Sequence, residues 1–243
     1  MKTVGIIGGV GPESTIEYYR QIIDTYRERQ RGPGSAPVNA QDESAANYPS
    51  IIINSVDLTQ LIRWIGTDLD AFTDYLAGAI ENLARAGADF GVLASNTPHL
   101  VFDELQRRSS IPLISIVESA CDAAQAMGLK RVALFGTRFT MQARFYPEVF
   151  TRAGIELLMP NETEQALIHE KYMSELLNNL FLPETRERLL RIVDRMKADE
   201  SIEALILGGT ELPLVLNQPE HRGIPFLDTT RIHVQRIVAE LVS

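Results

Sequence analysis

The chain has a single cysteine, Cys121, in 243 residues. A disulfide framework within it is impossible, and a cysteine-rich zinc site is excluded. Histidine is scarce as well: His99, His169, His221 and His233 are all there are. No apolar run approaches the roughly 18–20 residues that cross a bilayer, so no membrane association is expected. Positive charge is in deficit, with 23 Lys+Arg against 32 Asp+Glu and a net charge of −9. That balance argues against nucleic acid or an anionic membrane as a main partner. It leaves room for an anionic small molecule, because one helix end or one basic group can dominate a site. The N-terminal stretch enters an apolar run directly, without the layout of a secretory signal, and a cytoplasmic protein is expected.

What is present is ordinary for a globular protein: 45% hydrophobic and 23% charged residues, in a chain long enough for one domain or two small lobes. Short apolar runs rich in β-branched residues fall at 3–7, 50–56, 89–94, 111–116, 131–135, 155–159, 203–207 and 224–227, and predict buried strands. Between them the pattern predicts helices over about 12–31, 69–86, 117–127, 162–180, 183–198 and 229–241, and one after the glycine turn at 136 that runs to about Arg152. Gly32-Pro33-Gly34-Ser35-Ala36-Pro37 breaks the first helix and opens a polar loop to about Pro49, long enough to serve as a lid or to be a plain surface excursion. Alternating strands and helices predict an α/β fold with mostly parallel sheets flanked by helices. The strand and glycine turn at 131–136 echo those at 3–9, which suggests two pseudo-symmetric lobes with the active site between them.

Gly9-Val10-Gly11-Pro12-Glu13-Ser14 has the outline of a dinucleotide fingerprint. Ser14 stands where the helix-packing glycine belongs, Pro12 sits inside the motif, and no acidic residue follows at a strand end about 20 positions on. A tight strand-to-helix turn explains it without a nucleotide.

Two stretches carry more. Leu93-Ala94-Ser95-Asn96-Thr97-Pro98-His99 and Leu207-Gly208-Gly209-Thr210-Glu211-Leu212-Pro213 each end an apolar strand and open a predicted helix. Such corners offer free N–H groups and a favourable field for an anion. Asn96 and Thr97 could be plain helix caps or could hold a substrate carboxylate. Glu211 could simply complement a helix dipole or act as a base. His99 follows Ser95 by one helical turn. Thr210 is the second-half counterpart of Thr97, Thr137 lies at the matching turn of the second lobe, and Arg20, Arg138 and Arg144 are further possible carboxylate partners. Cys121 sits mid-helix and is expected to be buried and inert.

These corners resemble those of the aspartate/glutamate racemase family, the cofactor-independent two-cysteine racemases, where they typically run Cys-Asn-Thr-x-His and Gly-Cys-Thr-Glu. Gly8-Gly9-Val10-Gly11-Pro12-Glu13, Phe135-Gly136-Thr137-Arg138-Phe139-Thr140-Met141 and Phe226-Leu227-Asp228-Thr229-Thr230-Arg231-Ile232-His233 extend the resemblance over nearly the whole chain. It implies amino-acid isomerase chemistry with neither cofactor nor metal, a small amino acid or carboxylate as ligand, and a homodimer. It implies substrate-binding roles for Gly11, Asn96, Thr97, Thr137 and Thr210. It also implies that the last strand and helix pack back on the first lobe, giving lobes of residues 1–115 plus 214–243 and residues 116–213.

The two cysteine positions hold Ser95 and Gly209. A thiolate suits proton transfer at an α-carbon because its pKa lies near 8.5 and is easily lowered. Serine needs an adjacent base, and glycine has no side chain, so two-base racemisation through these positions is not expected. An enzyme with altered chemistry would draw its base from Glu211, His99 or water, with Gly209 leaving room for a larger substrate or a water. Other readings are a racemase still slow on an acidic amino acid through an unusual base, and a non-catalytic carboxylate-binding protein on the same scaffold.

Overall fold

The computed structural model describes residues 2–31 and 48–243. The expected polar loop, read as a lid or a plain surface excursion, lies for residues 32–47 outside the described residues. Two compact units are formed, one from Met1–Ala94, Glu104–Ile114 and Val234–Ser243, the other from Ser95–Asp103 and Ser115–His233.

The first unit is built on β1 (Thr3–Gly8), β2 (Ser50–Ser55), β3 (Phe90–Leu93) and β4 (Leu113–Ile114), in sheet order β2-β1-β3-β4 with every pair parallel. Its helices are α1 (Pro12–Arg31), α2 (Leu58–Trp64), α3 (Leu69–Arg85) and α4 (Phe102–Arg108), the last entering the unit at Glu104. β1 is central and buried on both faces, which is why it is a continuous apolar run rather than an alternating one. Val4, Ile6, Phe90 and Val92 form the core with Tyr18 and Ile22 of α1 and Val234, Ile237 and Val238 near the C-terminus. The glycine turn after β1 is conformational: Gly9 has φ +87° and Gly11 φ +94°, and a Cβ on Gly9 would strike the Val56 carbonyl. Thr15 Oγ1 accepts from the Gly9 N–H at 2.8 Å and closes the turn.

The second unit carries α5 (Ile116–Ala126), β5 (Arg131–Gly136), α6 (Arg138–Gln142), α7 (Phe145–Arg152), β6 (Glu156–Leu158), α8 (Glu162–Ser174), α9 (Pro183–Glu200), β7 (Ala204–Gly208), α10 (Leu212–Val215), β8 (Glu220–His221), β9 (Ile224–Asp228) and the start of α11 (Thr229–Leu241). Its sheet order is β6-β5-β7-β9-β8, parallel except for the β8–β9 hairpin. Leaving out β8, the order of strands by sequence repeats that of the first sheet, as the internal echo suggested.

Three expectations are corrected. The strand at 224–227, expected with the first lobe, pairs with β7 in the second sheet, and only residues from Val234 on join the first unit. The single helix expected between the glycine turn and about Arg152 is two: Ala143 has ψ 164°, outside the helical region, and separates α6 from α7. The helix expected over 162–180 stops at Ser174, and a 3₁₀ turn, Leu176–Asn178, ends on Asn179 in the left-handed region at φ 57°. The β8–β9 turn places Arg222 (φ 48°) and Gly223 (φ 80°) in the left-handed region, the two-residue geometry that matches strand twist. Arginine is not a usual residue there, so the pattern predicted only one strand in this region.

Candidate functional site

Of the residues singled out, Ser95, Asn96, Thr97, His99, Thr137, Gly209, Thr210 and Glu211 all belong to the second unit, and Gly11 belongs to the first. Both corners open short helices. The first is a 3₁₀ turn, Thr97–Val101, that runs directly into α4, and the second, α10, has 4 residues. A helix as short as α10 adds little dipole field, so an anion at the second corner would depend on individual donors.

Asn96 does not cap its turn. It is 3% exposed, its Oδ1 accepts the Tyr146 hydroxyl at 2.6 Å, and its Nδ2 donates to Thr229 Oγ1 at 3.3 Å. Thr229 Oγ1 in turn donates to the Leu207 carbonyl at 2.8 Å. The first corner is thereby tied to β7, the strand that carries the second. Burial holds the Tyr146 phenol far above its ordinary range, so it serves this network as a neutral donor. Removing one member of a buried network leaves partners unsatisfied. Asn96→Ala is expected to cost about 1–3 kcal/mol, read as a lower urea midpoint; an unchanged midpoint would show that the network carries no stability.

His99 is also committed to structure. Its Nε2 accepts the Ile116 N–H at 3.3 Å, and its ring stacks on Phe102 with centroids 4.8 Å apart. Burial, reinforced by the nearby His233, lowers its pKa to about 3. Ser115 Oγ accepts from the N–H groups of Val117 and Glu118. The first three N–H groups of α5 are therefore taken by side chains. Thr137 is a cap: its Oγ1 accepts from the Thr140 N–H at 3.3 Å. The neighbouring Arg138 N–H donates to His169 Nδ1 at 3.2 Å. Arg20 and Arg144 pair with Glu17 and Glu148 of their own helices. Cys121 is buried, and its thiol is shifted upward by burial. Ser95 Oγ and Thr97 Oγ1 have no hydrogen-bond partner among the described residues.

The second corner differs from its sequence reading. Glu211 does not cap α10, and its backbone is already helical at φ −89°, ψ −19°. Its carboxylate is 4% exposed, and its Oε2 accepts both the Tyr172 phenol and, at 2.9 Å, the Thr210 hydroxyl. Gly209 leaves no vacant space. A Cβ there would lie 2.5 Å from Cε2 and 2.7 Å from the hydroxyl oxygen of Tyr172. The expected room for a water or a larger substrate is filled by the Tyr172 ring. Burial and the Glu211 carboxylate both push the Tyr172 phenol well above its ordinary range, so it is a neutral donor to Glu211.

Tyr172 is the residue that sequence reasoning missed. It lies four residues after the buried Ile168 on α8, a spacing that marks only a core-facing side chain. Among the described residues no cluster of three or more His, Cys, Asp or Glu side chains could hold a metal, and no helix is long and apolar enough to cross a membrane.

Comparison with known proteins agrees with this architecture. A curated relative, the broad specificity amino-acid racemase RacX of Bacillus subtilis, is 28% identical over 164 residues, covering 68% of this chain and 67% of its own. A crystal structure of an aspartate racemase homologue from Pyrococcus horikoshii superposes with a TM-score of 0.82 at 31% identity, over 100% of both chains. That of a candidate Asp/Glu racemase from Yersinia pestis superposes with a TM-score of 0.87 at 28% identity, again over 100% of both chains. The sequence profile of the Asp/Glu/hydantoin racemases matches residues 7–237, and the chain belongs to that family.

Proposed function

We propose that this protein is a cofactor-independent enzyme acting at the α-carbon of a small amino acid or carboxylic acid, with Glu211 as the base that removes the α-proton. The observation that carries the reading is the Glu211 carboxylate itself. It is buried just past the C-terminal end of β7, does not cap the helix that follows it, and is held by hydroxyl donors on one oxygen. Ligands of parallel α/β sheets sit beyond the strand C-terminal ends, so this carboxylate stands where substrate chemistry is expected. A buried, positioned carboxylate is a competent general base.

On this reading Ser95 and Gly209 occupy the positions of the two family cysteines, and exchange proceeds from one face of the α-carbon. Ser95 and Thr97, whose hydroxyls are uncommitted among the described residues, hold the substrate carboxylate with the backbone of Thr210, whose hydroxyl is given to Glu211. Asn96 acts by tying the first corner to β7, Thr137 by capping α6 at the turn after β5, and His99 is a structural post. A role for Gly11 in substrate binding, a homodimer and a cytoplasmic location complete the proposal. The first two rest on resemblance to the family, and the location rests on a composition with one cysteine and no apolar run long enough to cross a bilayer.

The test is proton NMR of the protein in D₂O with both enantiomers of aspartate, glutamate and a panel of other amino acids. Loss of the α-proton signal without inversion is expected. Loss with inversion would call for a second acid/base group on the opposite face. Saturable binding without exchange would favour the second reading, a carboxylate-binding protein. That reading is supported by the absence of a thiol at either corner.

A further inference from the structure

Resting on the reading of Glu211 as base, we infer that Tyr172 is a second catalytic residue, a phenol on α8 that takes the place of the side chain missing at Gly209. Three observations converge on it. The Tyr172 ring and hydroxyl occupy the volume that any side chain at position 209 would enter, with the oxygen 2.7 Å from where its Cβ would be. The hydroxyl donates to the Glu211 carboxylate, so the two groups share one proton path. Thr210 Oγ1 donates to the same carboxylate oxygen at 2.9 Å, which fixes the pair in one geometry. The acid/base group of this corner has moved from the strand end to the helix packed over it. Gly209 is what that move requires, because a Cβ at this position would collide with the ring.

The chemistry balances without any added reactant. Glu211 removes the α-proton: the C–H bond breaks, an O–H bond forms on the carboxylate, and the electron pair is left on the α-carbon beside the substrate carboxylate. Tyr172 then gives its phenolic proton back to that carbon, re-forming a C–H bond. The Glu211 carboxyl passes its proton to the phenolate and both groups return to their starting state. When the phenolic proton has come from solvent, the product carries the solvent isotope.

Tyr172→Phe keeps the ring and removes the hydroxyl. It is expected to slow α-proton exchange in D₂O about tenfold to a hundredfold, with KM within about threefold of the native value. A structural role would instead appear in KM or in the urea midpoint. Gly209→Cys combined with Tyr172→Ala puts a thiol in the vacated volume and is expected to regain at least about tenfold over Tyr172→Ala alone, since a thiol is itself a competent proton donor. Exchange at the native rate in Tyr172→Phe, with Glu211→Gln inactive, would overturn the role of Tyr172 and leave the reading of Glu211 standing. Failure of the double variant to regain activity would also overturn it. Native exchange in Glu211→Gln, or no exchange by the native protein, would overturn both.

Discussion

Glu211→Gln is expected to lower the rate of α-proton exchange by about 10² to 10⁴, the usual contribution of a positioned general base. The substitution is nearly isosteric. The amide oxygen can still accept the Tyr172 and Thr210 hydroxyls that now meet Glu211 Oε2, so the corner should fold as before. What is lost is the basic lone pair, since an amide does not take up a proton near neutral pH. The change should therefore fall on kcat, with a small effect on KM, the pattern of a group needed in the transition state and not for binding. The competing explanation, an acidic residue placed to complement a helix dipole, is weak here. The α10 helix has 4 residues, and the carboxylate makes no capping bond to it. A rate within about threefold of native, in a variant whose urea midpoint is unchanged, would remove Glu211 from the mechanism.

The sequence went furthest where local pattern and tertiary role coincide. Central strands such as β1 and β7 are buried along most or all of their length and appear as short apolar runs. The turn after β1 needs glycine at positive φ, and glycine is what stands there. The two corners were visible because each ends an apolar run and opens a predicted helix, and because both resemble a family motif. The partners of the corner residues were not visible. Asn96 and Tyr146 are 50 positions apart, and Tyr172 and Glu211 are 39 apart, so only the tertiary fold brings them together. In the sequence, Tyr172 was one more aromatic residue on the apolar face of a helix. The one trace it left is Gly208-Gly209, two successive positions without a side chain. A Cβ on the first would strike the Leu134 side chain, and one on the second would strike Tyr172. Such a pair records that other residues have filled the space, but not which ones. His99 shows the converse. Its spacing from Ser95 suggested chemistry, whereas its surroundings make it an acceptor for the first N–H of α5.

That role makes His99 an acid-sensitive point in the fold. Its pKa is lowered from 6.5 to about 3, first by burial and then by His233. Between those values the unfolded chain binds a proton that the folded protein refuses. Stability contributed by the neutral ring is therefore fully present above about pH 6.5 and is lost as pH falls toward about 3. At about 1.4 kcal/mol per pH unit, the loss is about 2 kcal/mol by pH 5. Protonation would also turn Nε2 from an acceptor into a donor facing the Ile116 N–H. The carboxyls of Glu175 and Glu203, held below their ordinary value of 4.5 by hydrogen bonds to Lys171 and to the backbone N–H groups of Lys130 and Arg131, lose stability only at lower pH. His169 is also shifted downward, by burial and Arg138, and contributes in the same window, so native protein alone cannot isolate His99. Comparison with His99→Gln does. The Gln amide oxygen can accept the Ile116 N–H but does not titrate. The variant is expected to be less stable at pH 7, through poorer stacking on Phe102, and to lose about 2 kcal/mol less than native protein between pH 7 and pH 5. Equal losses in urea denaturation at the two pH values would show that His99 is protonated in the folded state without penalty. The ring would then regain its place as a candidate base.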